Sequence, residues 1–307
     1  MKKMILDLRG NPGGYLKSAI EIADEFLPPG KLIVYTEGHA RPRENFHSTS
    51  KGDFIKGDLA VLIDEGSASA SEIVSGAIQD LDRGVIIGRR SFGKGLVQEQ
   101  SEFPDGSAVR LTVARYYTPT GRCIQKPYED DYDAYENEII RRMQHGELLH
   151  SDSIHFPDSL KYTTPKGKIV YGGGGIMPDI FVPLDTAGIS GFYTEVNGLG
   201  VINQFAYDYL DQHRSTLEKY SSFNDFNRNF QVTNEIYAQL VQSSRKAGVN
   251  SNDGVDVARP FISNQFKALI ARQLWGNEGF FSVLQTQDKT IQKAIEILSA
   301  TKDDLEQ

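Results

Sequence analysis

The sequence LAVLIDEGSASASEIVSGAIQDL, residues 59–81, indicates the architecture most clearly. Its first part, Leu59–Ile63, is a continuous apolar run, which is typical of a strand buried on both faces of a sheet. Ser71–Leu81 repeats apolar residues at helical spacing, and Gly84 follows just after the predicted end of that helix. A buried strand that leads through small residues into an amphipathic helix is typical of α/β proteins.

The residues on both sides of this stretch continue the alternation of strands and helices. Apolar runs predict strands at 4–8, 32–36 and 85–88, and helical spacing predicts a helix at 15–27. The turn signal Pro104–Gly106 predicts strands on both sides of it, at 98–102 and 108–117. The polar segment 38–57 is predicted as a loop or hairpin. The sequence therefore predicts the α/β fold class, with a mixed sheet and packed helices.

The character of the chain changes after Pro127. Residues 128–170 are charged and rich in tyrosine, and we interpret them as an insertion. Four polar stretches with helical spacing follow, at 203–220, 234–247, 264–275 and 289–298. We therefore predict two domains. The first is a core at 1–187 that contains the insertion, and the second is a mainly helical C-terminal domain of unassigned role at 188–307.

The composition is that of an ordinary folded protein with an excess of acidic residues. The chain has 33 lysines and arginines against 41 aspartates and glutamates, a formal charge of −8. Such a balance argues against broad nucleic-acid binding, which needs a basic face to neutralise phosphates. The sequence contains no run of about eighteen apolar residues that would predict a membrane span. A single cysteine, Cys123, excludes an internal disulfide and a cysteine-rich metal site.

The serine-rich turn Gly66–Glu72 lies where reacting groups can be stabilised. At the start of a helix, free backbone N–H groups and the helix dipole favour negative charge, such as that on the oxygen of a reacting carbonyl. A structural interpretation is also available, because Ser69 and Glu72 have the spacing of a helix capping box. A serine N-cap contributes about 1 kcal/mol without any catalysis. This segment alone leaves both interpretations open.

The segment Gly88–Gly95, GRRSFGKG, nearly matches the phosphate-binding loop G-x-x-x-x-G-K-[ST]. Gly95 replaces the hydroxyl residue that would hold magnesium, and the residues that follow predict a strand where the motif needs a helix. Nucleotide binding is therefore the weakest interpretation. A lysine between two glycines is otherwise a surface lysine in a turn, or a residue with another chemical role.

Three motifs in fixed order give the sequence a resemblance to a known family. They are LDLRGNPGG at 6–14, SASASEI at 67–73 and SFGKGLVQ at 91–98, with further matches in YYTPTGR at 116–122 and GIMPD at 175–179. The sequence resembles the carboxyl-terminal processing proteases, also called tail-specific proteases, which are serine endopeptidases with a Ser/Lys dyad. The resemblance implies a protease core of the crotonase or Clp-protease type.

The resemblance assigns catalytic roles to three residues. The nucleophile falls on Ser69, the general base on Lys94, and the glutamine that orients the lysine on Gln98. Serine is a weak nucleophile until a base removes its proton, and a lysine amine acts as that base only when it is neutral. The ordinary lysine pKa is near 10.4, so such a site has to favour the neutral amine by burial. The six histidines lie outside the matched motifs, which disfavours a Ser-His-Asp triad.

The resemblance also implies an oxyanion hole and a supporting acid. The oxyanion hole is expected from the backbone N–H of Ala70 and from that of a glycine in the pair Gly13 and Gly14. An acid that follows the serine by eleven residues in the family is matched by Asp80. We expect Asp80 to support the site, with a solvated surface acid as the alternative. No cofactor and no metal are implied.

The resemblance further implies partners and a compartment. Family members carry a PDZ module and the first part of the protease core ahead of the motif at 6–14, and we expect both to lie outside residues 1–307. The expected partners are a protein or peptide substrate, that PDZ module and further copies in a homo-oligomer, with no nucleic acid. The expected compartment is the periplasm or cell envelope, although this sequence shows no signal peptide.

The function expected from the sequence is that of a serine endopeptidase. It would cleave protein substrates near their C-terminal tails through the dyad of Ser69 and Lys94. The alternative is a non-catalytic protein that binds a peptide or an apolar ligand on the same scaffold, because a fold alone does not fix a function. Intact residues at all three catalytic positions favour the enzyme.

Overall fold

The computed structural model describes residues 1–128, 133, 135 and 137–300. The chain divides into two compact units, of which the first comprises Met1–Leu184 with the end of the chain from Lys293, and the second Asp185–Gln292. Residues 129–132, 134 and 136 of the predicted insertion lie outside the described residues. The assignment of 1–187 and 188–307 as domains stays a prediction.

The first unit contains the described strands, and three of the described helices lie wholly within it. The strands are β1 (Lys3–Asp7), β2 (Leu32–Gly38), β3 (Arg41–His47), β4 (Asp58–Ile63), β5 (Val85–Gly88), β6 (Leu96–Glu102), β7 (Ala108–Tyr117), β8 (Lys161–Thr163), β9 (Ile169–Tyr171) and β10 (Ile180–Phe181). The helices are α1 (Leu16–Asp24), α2 (Ala70–Asp80) and α3 (Glu138–Gln144), with short 3-10 helices at Ser151–Ser153 and Asp158–Leu160.

The second unit is helical. Its helices are α4 (Gly191–Gly198), α5 (Val201–Leu217), α6 (Phe223–Asn229), α7 (Asn234–Lys246) and α8 (Val255–Leu284), with a 3-10 helix at Gln285–Gln287. Helix α9 (Lys289–Ser299) follows along the chain. The predicted α/β class with packed helices and a helical C-terminal region is confirmed.

The strands form sheets that separate parallel from antiparallel pairing. One sheet has the order β1-β4-β5-β10 and is parallel throughout. A second sheet has the order β3-β2-β7-β6 and is antiparallel, and β8 pairs with β9 alone. The polar segment predicted as a loop or hairpin contains β3, which pairs with β2, and it is therefore a hairpin.

The core of the first unit lies on one face of β4. Leu59, Val61 and Ile63 alternate along the strand and pack with apolar residues of α1 and α2. All residues from Leu59 to Ile63 are buried, which confirms the predicted central strand. Helix α2 is buried on every side from Ser71 onward, because it packs against neighbours all around. An amphipathic helix that is buried this completely is held rigidly.

The topology brings the three sequence motifs to one edge of the parallel sheet. The motif at 6–14 runs past the end of β1, the motif at 67–73 follows β4, and the motif at 91–98 follows β5. These three strands are neighbours and run in the same direction, so their carboxyl ends lie side by side. Open α/β sheets place their ligand sites outside these ends. The functional site is therefore expected at this edge of the sheet.

Aromatic side chains fill the core of the second unit. Phe226 stacks on Phe230 with a ring separation of 4.8 Å and also lies 5.1 Å from Trp275. The long helix α8 kinks at Trp275 and Gly276, where the glycine has a φ of 65° and a ψ of −157°. The predicted helix at 264–275 ends at this kink, because only glycine adopts such a conformation without strain.

Asp80 and Arg122 form an ion pair without solvent exposure. Arg122 Nη2 lies 2.7 Å from Asp80 Oδ1, and both side chains are 0% exposed. Arg122 also donates to the carbonyl of Tyr171 at 2.8 Å and to the side chain of Gln79 at 2.7 Å. Thr120 donates its N–H and its hydroxyl to Asp80, at 3.0 and 2.7 Å. This network ties the end of α2 to the segment after β7.

Removal of this buried acid is expected to destabilise the fold. Asp80→Ala should lower the free energy of unfolding by about 3–5 kcal/mol, because it leaves the Arg122 guanidinium buried without its counter-ion. Urea denaturation followed by circular dichroism measures the change. Asp158→Ala, which removes the acid of an exposed pair with Lys161, is the control and should leave the midpoint nearly unchanged. Equal effects of the two substitutions would contradict the prediction.

Candidate active site

Ser69 lies in the turn between β4 and α2 in a strained backbone conformation. Its φ of 55° and ψ of −114° lie outside the regions that residues other than glycine ordinarily adopt. Such strain persists only where the surrounding structure fixes it, and it is frequent at active sites. Helix α2 begins at the next residue, Ala70, so the serine lies at the positive end of the helix dipole.

Gly13 brings the turn after β1 into close contact with the turn that holds Ser69. Gly13 has a φ of 92°, and a Cβ atom there would lie 2.5 Å from the carbonyl oxygen of Ala68 and 2.6 Å from the amide nitrogen of Ala70. Asn11 strengthens the contact, because its carbonyl accepts the Ala68 N–H at 3.0 Å. Glycine is required at position 13 both for its conformation and for the space.

Two backbone N–H groups beside Ser69 have no acceptor among the residues that the structure describes. They belong to Ala70, at the first position of α2, and to Gly14. Gly13 differs, because its N–H donates to the Asn11 side chain at 2.9 Å. Free donors of this kind are suited to hold a developing oxyanion. Of the two glycines expected for this role, the structure leaves the N–H of Gly14 available.

Lys94 belongs to the loop after β5, residues 89–95, which we call the Lys94 loop. Its two glycines lie close to the backbone of neighbouring segments. A Cβ atom at Gly93 would lie 3.0 Å from the Gly175 nitrogen, and one at Gly95 would lie 2.9 Å from the Gln125 nitrogen. The strand predicted after the loop is confirmed as β6. A strand offers no helix N-terminus to a phosphate, which argues further against nucleotide binding.

Gln98 lies on β6 beside a β-bulge. Val97 pairs with Ala114 whereas Gln98 pairs with Thr112, so Val113 of β7 is the extra residue. Gln98 is exposed, and within the described part of the chain its side chain makes no hydrogen bond to the lysine of the Lys94 loop. The role of Gln98 in orienting that lysine stays a prediction.

The buried carboxylate of Glu72 joins Ser69 to the Lys94 loop. Its Oε2 accepts the backbone N–H of Ser69 and that of Lys94, each at 2.8 Å. Its Oε1 accepts the hydroxyl of Ser91 and the N–H of Gly93, the latter at 2.7 Å. Because one oxygen binds both amides, the backbone nitrogens of Ser69 and Lys94 lie within two hydrogen-bond lengths of each other.

Tyr116 bridges the same two residues from the carbonyl side. Its hydroxyl lies 3.0 Å from the carbonyl oxygen of Ser69 and is also within hydrogen-bonding distance of the Lys94 carbonyl. Burial, followed by the charge of Glu72, raises the pKa of Tyr116 well above its ordinary value, so the hydroxyl stays a donor. Buried side chains therefore hold both the amide and the carbonyl of Ser69 and of Lys94.

A cavity of about 660 Å³ opens beside these groups, and we call it the Ser69 cavity. Six of the seven residues expected at the site line it: Ser69, Lys94, Gln98, Ala70, Gly13 and Gly14. Asp80 is the exception, because it lies at the far end of α2 in its ion pair with Arg122. The alternative of a solvated acid is wrong, since Asp80 has no exposed surface.

Ser69 and Lys94 both line the Ser69 cavity, but their side chains are not hydrogen-bonded to each other in the described residues. Both residues are partly buried. The structure thus brings the two backbones together through Glu72 and Tyr116 and places the two residues on one cavity. The dyad itself stays a prediction.

The sequence interpretation missed Glu72 and Tyr116 as parts of the site. Glu72 has the spacing of a capping box and does accept the Ser69 N–H, but its other donors lie 19 to 22 residues further along the chain. The sequence signal for Glu72 is its position, because it is an acid that directly precedes the apolar residues Ile73 and Val74 near the start of the helix. The structure shows that this part of the helix is buried on every side. Such an acid needs several donors to be stable.

Neither a metal cluster nor a membrane-spanning helix is found in the described residues. No group of three or more His, Cys, Asp or Glu side chains there is arranged to hold a metal ion. None of the described helices is both long enough and apolar enough to cross a membrane.

Comparison with known proteins connects this site to a family. Residues 1–134 match the sequence model of peptidase family S41. A carboxyl-terminal-processing protease of Synechocystis sp. is 46% identical over 122 residues, which cover 40% of this chain and 28% of that protein. A carboxy-terminal-processing protease of Bartonella bacilliformis is 48% identical over 126 residues, 41% of this chain and 29% of that protein.

We call these matched residues, 1–134, which are less than half of the chain, the S41 region. The S41 region contains every residue expected at the site. A solved structure, the photosystem II D1 C-terminal processing protease, is 27% identical to this chain with a TM-score of 0.42, and the match covers 61% of this chain and 36% of that one. Residues 192–276 match a family of unknown function, DUF8443. The chain spans less than a third of the length of these curated relatives.

The contact at Gly13 of the S41 region predicts a local loss of stability on substitution. Gly13→Ala should lower the free energy of unfolding by about 1–3 kcal/mol, because the added methyl group would overlap the backbone of residues 68 and 70. Gly14→Ala is the matched control, since no atom lies within 4 Å of a Cβ there. It should change stability by less than about 0.5 kcal/mol. Urea denaturation of both variants tests the contrast, and equal losses would contradict it.

The pKa of Glu72 predicts the sign of a pH dependence. Burial raises this pKa above its ordinary value of 4.5, and the hydrogen bonds from Ser91, Lys94, Gly93 and Ser69 lower it by less. A carboxyl with a higher pKa in the folded chain stabilises most at low pH. This contribution is lost as the pH rises from 4.5 through the pKa of the folded state.

The unfolding free energy of the chain relative to that of Glu72→Gln should therefore be larger at about pH 4 than at about pH 8. Urea denaturation of both proteins at the two pH values measures the difference. If the difference in unfolding free energy between the chain and Glu72→Gln grew with pH instead, the four hydrogen bonds would lower the pKa of Glu72 by more than burial raises it.

Proposed function

We propose that this chain carries the active site of a serine endopeptidase of the carboxyl-terminal processing type. One observation carries the proposal. The backbones of Ser69 and Lys94 share one buried carboxylate oxygen of Glu72, and both residues line a cavity beside two N–H donors that have no acceptor in the described part of the chain. A nucleophile, an amine and an oxyanion site within one cavity are the parts that acyl transfer needs.

The proposed reaction proceeds in two halves. Ser69 Oγ attacks the carbonyl carbon of a peptide bond while the neutral amine of Lys94 takes the hydroxyl proton. The N–H groups of Ala70 and Gly14 bind the oxyanion of the tetrahedral intermediate. Lys94 then gives its proton to the leaving amine as the carbon–nitrogen bond breaks. Water hydrolyses the acyl-enzyme with the same groups, and the serine is restored.

The lack of a hydrogen bond between the side chains of Ser69 and Lys94 is compatible with this chemistry. Catalytic hydrogen bonds are often long before substrate binds and shorten in the bound complex. The backbone positions matter more, because they decide how far the side chains have to turn. Glu72 and Tyr116 fix those positions for Ser69 and Lys94.

An extended peptide is the substrate that this cavity suits. Strand β6 is one of the two edge strands of the antiparallel sheet, and Leu96, Val97 and Gln98 of this strand line the Ser69 cavity. A peptide can pair with such an edge through its main chain while side-chain pockets select among sequences. Apolar side chains of Leu16 and Ile73 also line the cavity and favour small apolar substrate residues.

Features of the longer relatives enter only as proposals for this chain. We propose protein substrates cleaved near their C-terminal tails, which is the activity named for the relatives in Synechocystis and Bartonella. A PDZ module as partner, a homo-oligomer, and a site of action in the periplasm or cell envelope are proposed on the resemblance alone. A non-catalytic protein that binds peptides on the same scaffold is the competing outcome of the test below.

Labelling with a fluorophosphonate probe tests the nucleophile, because the probe reacts with activated serines. We expect Ser69 to be labelled and Ser69→Ala to lose both labelling and peptide cleavage, by on the order of 10⁴-fold or more. Ser67→Ala and Ser71→Ala are matched controls from the same motif. Their hydroxyls donate to the Leu8 and Asn11 carbonyls, so these variants should lose stability and keep labelling.

Lys94→Ala should lose labelling at the serine to a similar degree, whereas the exposed Lys51→Ala should keep it. Mass spectrometry of the probe adduct and of cleaved peptides measures both activities. A chain that binds peptide without labelling or cleavage would support the non-catalytic alternative. Cleavage that survives in Ser69→Ala would overturn the proposed nucleophile.

A further inference from the structure

Arg142 of α3 is buried against the Lys94 loop. Its guanidinium donates to the carbonyl of Arg90 at 2.7 Å and to the carbonyl of Ser91 at 3.1 Å. The side chain is 3% exposed, and its Nε donates to Glu147 at 3.2 Å. A residue from the segment interpreted as a charged insertion therefore holds the loop that leads to Lys94.

Ser91 connects Arg142 to the candidate active site. The carbonyl of Ser91 accepts from Arg142, and the hydroxyl of Ser91 donates to the carboxylate of Glu72. That carboxylate binds the amides of both Ser69 and Lys94. Two residues, Ser91 and Glu72, thus stand between the guanidinium and the backbone of the proposed base.

Two acids, Glu138 and Glu147, pair with the cations around Arg142. Glu147 also accepts from Arg90 at 2.7 Å. Glu138 pairs with Arg90 at 3.5 Å and with Lys126 at 3.0 Å. Charges buried in this way are stable only with paired and hydrogen-bonded neighbours, so the network admits few arrangements. It therefore fixes α3 against the Lys94 loop in one position.

We propose that Arg142 is a positioning residue for the Ser69 and Lys94 reaction, an inference that rests on the proposed function. The planar guanidinium binds two successive carbonyls, those of Arg90 and Ser91, and so sets the course of the backbone just before Lys94. A lysine ammonium lacks this fork geometry and cannot replace it. A catalytic group displaced by about 1 Å can lose on the order of 100-fold in rate.

The test compares four versions of the 307-residue chain. They are the unsubstituted chain, Arg142→Met, Arg142→Lys and the control Arg141→Met, which changes an exposed arginine on the same helix. For each chain, mass spectrometry gives the rate of fluorophosphonate labelling at Ser69. Hydrogen exchange gives the protection of the Gly93 and Lys94 amides, both of which donate to Glu72. Thermal unfolding shows that each chain is folded at the assay temperature.

We expect Arg142→Met to lower the labelling rate by about 10- to 100-fold and to speed exchange at the Gly93 and Lys94 amides. Arg142→Lys should fall between Arg142→Met and the control, and it provides the test if the methionine variant does not fold. Arg141→Met should match the unsubstituted chain in both measurements.

The outcomes separate this inference from the proposed function. A Ser69 that is labelled in the unsubstituted chain and labelled at the same rate in the folded Arg142 variants overturns the positioning role alone. A Ser69 that is not labelled in the unsubstituted chain overturns the proposed function and the positioning role with it. Slower labelling with faster amide exchange, confined to the Arg142 variants, supports both.

Discussion

The buried carboxylate of Glu72 is the interaction on which the candidate site depends. It accepts four hydrogen bonds from two parts of the chain that are far apart in sequence: one from the Ser69 turn, and three from Ser91, Gly93 and Lys94 of the Lys94 loop. A fully buried acid is unstable without such donors, and the donors are equally unsatisfied without the acid. The buried acid and its donors therefore depend on each other. As a consequence, the backbones of the proposed nucleophile and base are held together.

The fold supplies the places where this interaction can form. Parallel strands β1, β4 and β5 end side by side, and each is followed by one of the three motifs. Glycine at position 13 allows the first turn to touch the second, and the glycines of the Lys94 loop allow the third to pass close to its neighbours. The unusual backbone of Ser69 is maintained between these contacts, as strained residues at active sites require.

Local patterns predicted the class of the fold, and the resemblance carried by three short motifs pointed to six of the residues that line the Ser69 cavity. The apolar run Leu59–Ile63 and the helical spacing after it were sufficient for the central strand and α2. The partners of Glu72 and the burial of Asp80 against Arg122 could not be predicted, since each joins residues that are distant in sequence. The sequence also could not distinguish Gly14 from Gly13 as the donor for an oxyanion. That choice depends on the Asn11 side chain, which accepts the N–H of Gly13 in the structure.

The extra residue at Val113 has a consequence for how β7 tolerates changes in length. Side chains along a strand alternate between faces, and a bulge takes up one surplus residue so that the pairs on both sides of it keep their faces. Thr112 still pairs with Gln98 and Arg110 with Gln100, as they would in a strand without the extra residue. Deletion of Val113 would therefore remove the local irregularity and leave Arg110 on the Ser69 cavity. Position 113 is thus a place where the gene can lose one codon without changing which side chains face the groove.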